Sequence, residues 1–226
     1  PTACVGLPEV HLGLLPGAGG TQRLPRLAGV IAALELMTTG RHVDAEEGHK
    51  LGIIDKIQDG DPNLNGIAYT QKLLDQNTPR RPVSDMPAPE KINWDEAFEK
   101  ALKSGRGQIS PAWCVRAVQA SVEKPFEEGL EAERQIFYDL MQTEQRQGMI
   151  HAFFSQRAVS NLPELKGITP RPLKNIALIG GGTMGAGIAT SALLSGLNVT
   201  VLEMNKHATQ AAFDRIENNL SGAKKR

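Results

Sequence analysis

Apolar and polar residues along this chain fall into two rhythms. Over 22–36 the apolar residues Leu24, Leu27, Ile31 and Leu34 recur every three or four positions, which predicts a helix, and Gly40 stands just beyond it. Residues 4–15 alternate short apolar stretches with turn residues and contain Pro8–Glu9, which predicts a strand emptying into a loop, followed by a glycine-rich bend over 16–20. Asp44 followed by Glu47 has the spacing of a helix N-cap and its returning acid, and the run at 52–57 predicts a short strand after it. Asp61–Pro62 opens another helix to about Gln76, because Asp accepts from free first-turn amides and Pro is tolerated there. This part of the chain alternates α and β.

The texture then changes. Residues 78–89 hold Pro79, Pro82, Pro87 and Pro89 beside Arg80 and Arg81, which forbids a helix or central strand and predicts a solvated linker. Helical periodicity resumes at Asn93, again at Ser110–Pro111, and over 126–155, the last as one long helix or two interrupted near Gly148. On that stretch Leu130, Arg134, Phe137 and Met141 share a face that must be buried, while Glu127, Glu128, Glu131 and Glu133 are expected on the solvated side. A second proline-rich linker covers 161–172. Beyond it the pattern reads strand, helix, a strand over 198–203, and the start of a helix from about Lys206.

Composition narrows the classes. The chain has 226 residues, 40% hydrophobic and 22% charged, which is ordinary for a globular protein. Lys plus Arg and Asp plus Glu number 25 each, so no basic surplus recommends nucleic acid or an acidic membrane surface. The apolar runs fall short of the ~20 residues that span a bilayer, and no signal-peptide pattern opens the sequence. Cys4 and Cys114 lie too far apart in sequence for a metal or redox motif, and both are expected to be buried, inert thiols. None of the five histidines stands at i, i+4 from another ligand on a plausible helix, so no metal site is expected.

The strongest local signal is at 175–185. An apolar strand runs into Gly180-Gly181-Gly182-Thr183-Met184-Gly185, with Gly180, Gly182 and Gly185 satisfying Gly-x-Gly-x-x-Gly. In a dinucleotide fold the first glycine permits the tight turn, the second admits the pyrophosphate and the third lets helix pack on strand. Free amides of the helix N-terminus, here at Thr183 and Met184, would then face the phosphates. Glu203 stands 23 residues after Gly180, where an acid would take the ribose 2′-hydroxyl, and its charge favours NAD over NADP. Only 41 residues follow Gly185, fewer than a complete dinucleotide domain needs, so the chain is expected to be a piece of a larger enzyme.

Toward the other end, Leu7-Pro8-Glu9 and Leu15-Pro16-Gly17-Ala18-Gly19-Gly20-Thr21-Gln22-Arg23 resemble the later part of the active-site signature of the enoyl-CoA hydratase/isomerase (crotonase) family. The opening Gly180-x-Gly182-x-Met184-Gly185-x-Gly187 is similar to that of 3-hydroxyacyl-CoA dehydrogenases. Both in this order, with helices between them, resemble the multifunctional enzymes of fatty-acid β-oxidation. The resemblance implies an α/β chain in three parts. These are the C-terminal part of a crotonase-like unit over 1–77, linkers and a helical connector over 78–173, and the first βαβ of a Rossmann NAD-binding domain over 174–226.

It also implies the chemistry. Water is added across a 2-enoyl-CoA double bond, or a 3-enoyl-CoA is isomerised, and the L-3-hydroxyacyl-CoA is then oxidised with NAD. Glu9 would deliver a proton to the α-carbon, and the Gly17 amide would help place the water. The family's second glutamate and oxyanion amides are expected before residue 1, and the dehydrogenase His–Glu pair beyond residue 226. The implied partners are acyl-CoA thioesters. The form of the loop inclines the compartment to a bacterial cytoplasm, with the peroxisomal matrix as the alternative. A competing reading is a non-catalytic nucleotide-binding module whose helical middle binds a partner.

Overall fold

A computed structural model describes residues 3–224, and its contacts divide the chain into two units, one running to Leu162 and the other from Pro163. In the first unit β1 (Cys4–Gly6) pairs antiparallel with β2 (His42–Asp44), Cys4 opposite Asp44 and Gly6 opposite His42. A 3₁₀ turn over Pro8–Leu12 follows β1 and leads to α1 (Gly20–Ala28) and α2 (Val30–Thr39). The single helix predicted over 22–36 is thus two. Gly29 breaks it, with φ 80° and ψ 161° far from helical values.

The helix starts follow their caps. The Asp44 carboxylate accepts from the Glu47 amide at 2.8 Å and opens α3 (Ala45–Lys50). Asp61 accepts from the amides of Asn63 and Leu64 and opens α4 (Pro62–Asp75). The strand predicted at 52–57 does not form. The amides of Ile53 and Ile54 both donate to the Gly48 carbonyl, closing the end of α3, and β2 is the strand that pairs with β1. Residues 78–89 are irregular apart from a 3₁₀ turn at Val83–Asp85.

Four helices follow: α5 (Trp94–Ser104), α6 (Ser110–Glu123), α7 (Phe126–Met141) and α8 (Glu144–Ser160). The break between the last two falls at Gln142–Thr143 rather than near Gly148, because the Thr143 hydroxyl accepts from the Arg146 amide and caps α8. These helices do not stand apart as a connector. Leu14, Leu15, Met37 and Val43 share one buried cluster with Trp94, Ala101, Val115, Val118 and Leu140. Cys114 is buried in that cluster, whereas Cys4 is exposed on its edge strand, against expectation.

The second unit holds a 3₁₀ turn at Pro163–Leu165, then β3 (Asn175–Ile179), α9 (Thr183–Leu194), β4 (Asn198–Leu202) and α10 (Lys206–Lys224). The strands pair in parallel, Asn175 opposite Asn198 and Ile179 opposite Leu202, so α9 is the crossover of a βαβ unit. Among the described residues no helix is long and apolar enough to cross a membrane.

If α7 belongs to the same core as β1 and β2, removing the Leu140 side chain, 2% exposed, must weaken the whole first unit. Leu140→Ala is expected to cost about 2–5 kcal/mol in urea unfolding followed by tryptophan fluorescence. A midpoint equal to the parent's would contradict a shared core.

Candidate functional site

Glu9 sits in the first turn of the 3₁₀ segment, with Pro8 fixing the backbone before it. Its carbonyl accepts from the Leu14 amide at 3.1 Å, which folds the chain back on itself and sends Leu14, Leu15 and Pro16 into the core. The Glu9 side chain is half-buried, and its Oε2 is shielded from solvent with no hydrogen-bond partner among the described residues. A buried carboxylate oxygen left unsatisfied is costly in a purely structural role. Gly17 lies exposed at the turn of the following bend, its Cα so close to the Phe137 ring on α7 that a Cβ there would overlap it.

The bend is held by a residue that the sequence reading placed in solvent. Glu133, on α7, is 1% exposed. Its Oε1 accepts from the Gly19 amide at 2.6 Å, and its Oε2 accepts from the Thr21 amide at 3.0 Å and the Thr21 hydroxyl at 2.6 Å. The side-chain Nε2 of Gln22 donates in turn to Thr21 Oγ1 and to the Ala117 carbonyl on α6. The buried face of α7 therefore includes Gly129, Glu133 and Leu140 with Leu130, Phe137 and Met141 partly covered, while Arg134 is exposed. Burial raises the Glu133 carboxyl above the ordinary carboxylate range, against the pull of the Thr21 hydroxyl and the two amides. Burial likewise pushes the Cys114 thiol far up, with Glu9 and Glu133 adding to it.

Nothing local in the sequence marked Glu133, Thr21 or Gln22 as a network. The acid is 112 residues from Thr21, inside a run of acids that reads as a solvated face. The one available signal was position, since Glu133 stands three after Leu130 and four before Phe137 on the apolar face. The histidines stay outside both sites: His11 and His49 bond the carbonyls of Thr39 and Ile54, and all five are exposed. Arg81 pairs with Asp55 at 2.6 Å on the surface.

In the second unit the loop between β3 and α9 brings together the glycines that the sequence singled out. Gly180 turns the chain at φ 90°, in the left-handed region. Gly182 is the N-cap of α9 with no side-chain cap, and among the described residues nothing lies within 4 Å of where its Cβ would be beyond its own chain neighbours. A Cβ on Gly185 would overlap the Gly180 carbonyl, so helix and strand touch there through backbone alone. Thr183 and Met184 are exposed in the first turn of α9. Glu203, at the end of β4, accepts through Oε1 from the Gly181 amide. Arg215 and Ala212 of α10 press on Gly181, the first through its carbonyl at 3.3 Å, a contact absent from the sequence reading.

Residues 1–77 match the family model of enoyl-CoA hydratase/isomerase, and residues 175–226 match that of the 3-hydroxyacyl-CoA dehydrogenase NAD binding domain. Each end of the chain is thus similar to a different one of these two families. Peroxisomal bifunctional enzymes from Cavia porcellus and Homo sapiens are 42% and 40% identical to it, in each case over 93% of this chain and 30% of the relative. A glyoxysomal fatty acid beta-oxidation multifunctional protein MFP-a from Brassica napus is 38% identical over 100% of this chain and 32% of its own length. The chain thus spans under a third of the curated relatives it matches. An enoyl-CoA hydratase structure from Geobacillus kaustophilus aligns over 68% of this chain and 49% of its own at 32% identity, with a TM-score of 0.30, too low to compare arrangements.

Gly185→Ala is expected to destabilise the chain by about 1–3 kcal/mol, since its methyl must displace the Gly180 carbonyl. Gly187→Ala, in open space on the same helix, is expected to be neutral or to stabilise by up to about 1 kcal/mol. Circular dichroism during urea unfolding of the full chain compares them; equal losses would refute the close helix–strand contact.

Proposed function

We propose that the enzyme containing this chain hydrates 2-enoyl-CoA at the Glu9 site and oxidises the resulting L-3-hydroxyacyl-CoA with NAD through the Gly180–Gly185 loop. The observation that carries the reading is the buried Oε2 of Glu9, without a partner among the described residues, on the segment that leads into a glycine bend. Hydration adds the water oxygen to the β-carbon and a proton to the α-carbon. Glu9 supplies that proton, and the Gly17 amide, on the exposed turn that follows it in the chain, orients the water. The reaction also needs a group to take a proton from water. Glu133 does not fill that role, because both its oxygens already accept from the bend.

At the other site the residues fit a dinucleotide. The space over Gly182 is open to a pyrophosphate, and the α9 N-terminus carries no protein cap. Glu203 keeps its Oε2 lightly engaged, with one bond of 3.3 Å from the Met204 amide, and this oxygen accepts from a ribose hydroxyl. The same charge repels a 2′-phosphate, which favours NAD. NAD, when bound, supplies the hydride acceptor. The relatives' names place them in peroxisomes or glyoxysomes, and we extend that compartment to this enzyme in preference to a bacterial cytoplasm.

Two variants of the enzyme test the assignment as a cross. Glu9→Gln is expected to lower hydration by about 10²–10⁴-fold and to leave NAD-dependent oxidation of 3-hydroxyacyl-CoA in place. Gly182→Val is expected to do the reverse, weakening NAD binding while hydration persists. Spectrophotometric assays of each step decide it: full hydration in the first variant, or normal NAD affinity in the second, would overturn the corresponding site.

A further inference from the structure

Helix α7 lies outside the segment that matches the hydratase family model, which ends at residue 77, yet it holds the bend that follows Glu9 at three points. The Phe137 ring lies against the Gly17 Cα, Leu130 lies against Gly19, and Glu133 binds the amides of Gly19 and Thr21. Residues 130, 133 and 137 are spaced three and four apart, so one face of α7 makes all three contacts. Between them runs the exposed turn carrying the Gly17 amide.

Glu133 does for α1 what a local N-cap normally does. The N-cap position of α1 is Gly19, which has no side chain to accept from the first-turn amides. The Glu133 carboxylate accepts from two of them instead, from a helix 112 residues away. The Thr21 hydroxyl cannot turn freely from Glu133, because it also accepts from Gln22 Nε2 at 2.9 Å, and Gln22 is fastened to Ala117 at 3.0 Å. Arg23 lies close enough to favour the charged carboxylate, and its own guanidinium donates to the Ala18 carbonyl of the same bend. Among the described residues every donor that reaches Glu133 comes from Gly19 or Thr21, where the bend enters α1, so the acid fixes the end of the bend.

We propose that Glu133 is a positioning residue for hydration: through Gly19 and Thr21 it sets the glycine bend, and with it the Gly17 amide, against Glu9. This rests on the assignment of hydration to the Glu9 site. The substrate is not touched by Glu133, whose oxygens are buried and occupied. The effect therefore falls on turnover, where the placement of water against the double bond matters, more than on acyl-CoA binding. Misplacing a reacting group by about 1 Å is enough to cost about 10²-fold in rate.

The test uses the whole enzyme and separates kcat from KM for enoyl-CoA, with NAD-dependent oxidation as an internal reference. Glu133→Gln replaces one acceptor oxygen by a donor that faces the bend's own donors. It is expected to lower kcat for hydration at least about tenfold, with KM moved less than about threefold and oxidation unchanged within about twofold. Thr21→Val removes only the hydroxyl and should lower kcat in the same sense, whereas Thr21→Ser, which keeps it, should match the parent. Should Glu133→Gln fail to fold, the Thr21 pair decides alone. Unchanged kcat in Thr21→Val, equal losses in Thr21→Val and Thr21→Ser, or equal losses of hydration and oxidation would overturn the proposal. Glu9→Gln assayed alongside distinguishes the two failures. Full hydration in that variant removes the site assignment and this inference together; its loss beside normal turnover in Glu133→Gln and Thr21→Val removes the inference alone.

Discussion

A single buried carboxylate ties the first unit together. Glu133 receives three hydrogen bonds from Gly19 and Thr21, and among the described residues no other group satisfies the Gly19 amide at the start of α1. Charge-assisted bonds of this kind are stronger than neutral ones, and an acid without its donors would be expensive to bury. The carboxylate and the bend therefore need each other. That dependence explains why α6 and α7 share a core with β1, β2 and α2 instead of forming a separate connector, and why Gly129 must lack a side chain where Gln22 presses on α7.

The two units treat a helix N-terminus in opposite ways. At α1 the first-turn amides are closed by Glu133 from inside the protein. At α9 they are left uncapped, with open space over Gly182 and Glu203 fastened to the neighbouring Gly181 amide. The same partial positive charge that makes a buried acid tolerable in the first unit makes the second suited to an external anion. In the reading proposed above, one terminus stabilises the frame of the hydratase site and the other is the dinucleotide's seat.

Much of this was legible in the sequence because it is local. Asp44, Asp61 and Asn93 each cap a helix through a residue two or three positions on, and side-chain chemistry at that range can be read directly. The glycine loop was equally readable, since a turn, a close approach and an open surface each demand the absence of a side chain. What escaped was decided at long range. The choice of His42–Asp44 over 52–57 as the strand depends on which edge β1 offers, and Gly29 divides a periodic run without disturbing its period. Glu133 was misread for the same reason: among Glu127, Glu128 and Glu131 only its contact with a bend over a hundred residues away distinguishes it.

Native-state hydrogen exchange of the Gly19 and Thr21 amides tests the central claim most directly, because these are the donors that Glu133 alone satisfies from outside α1. In the parent chain both should exchange slowly, as the core does. In Glu133→Ala they should exchange about tenfold to a hundredfold faster, while amides of α2 such as Met37 change far less. Equal rates at Gly19 and Thr21 in the two proteins would contradict the account.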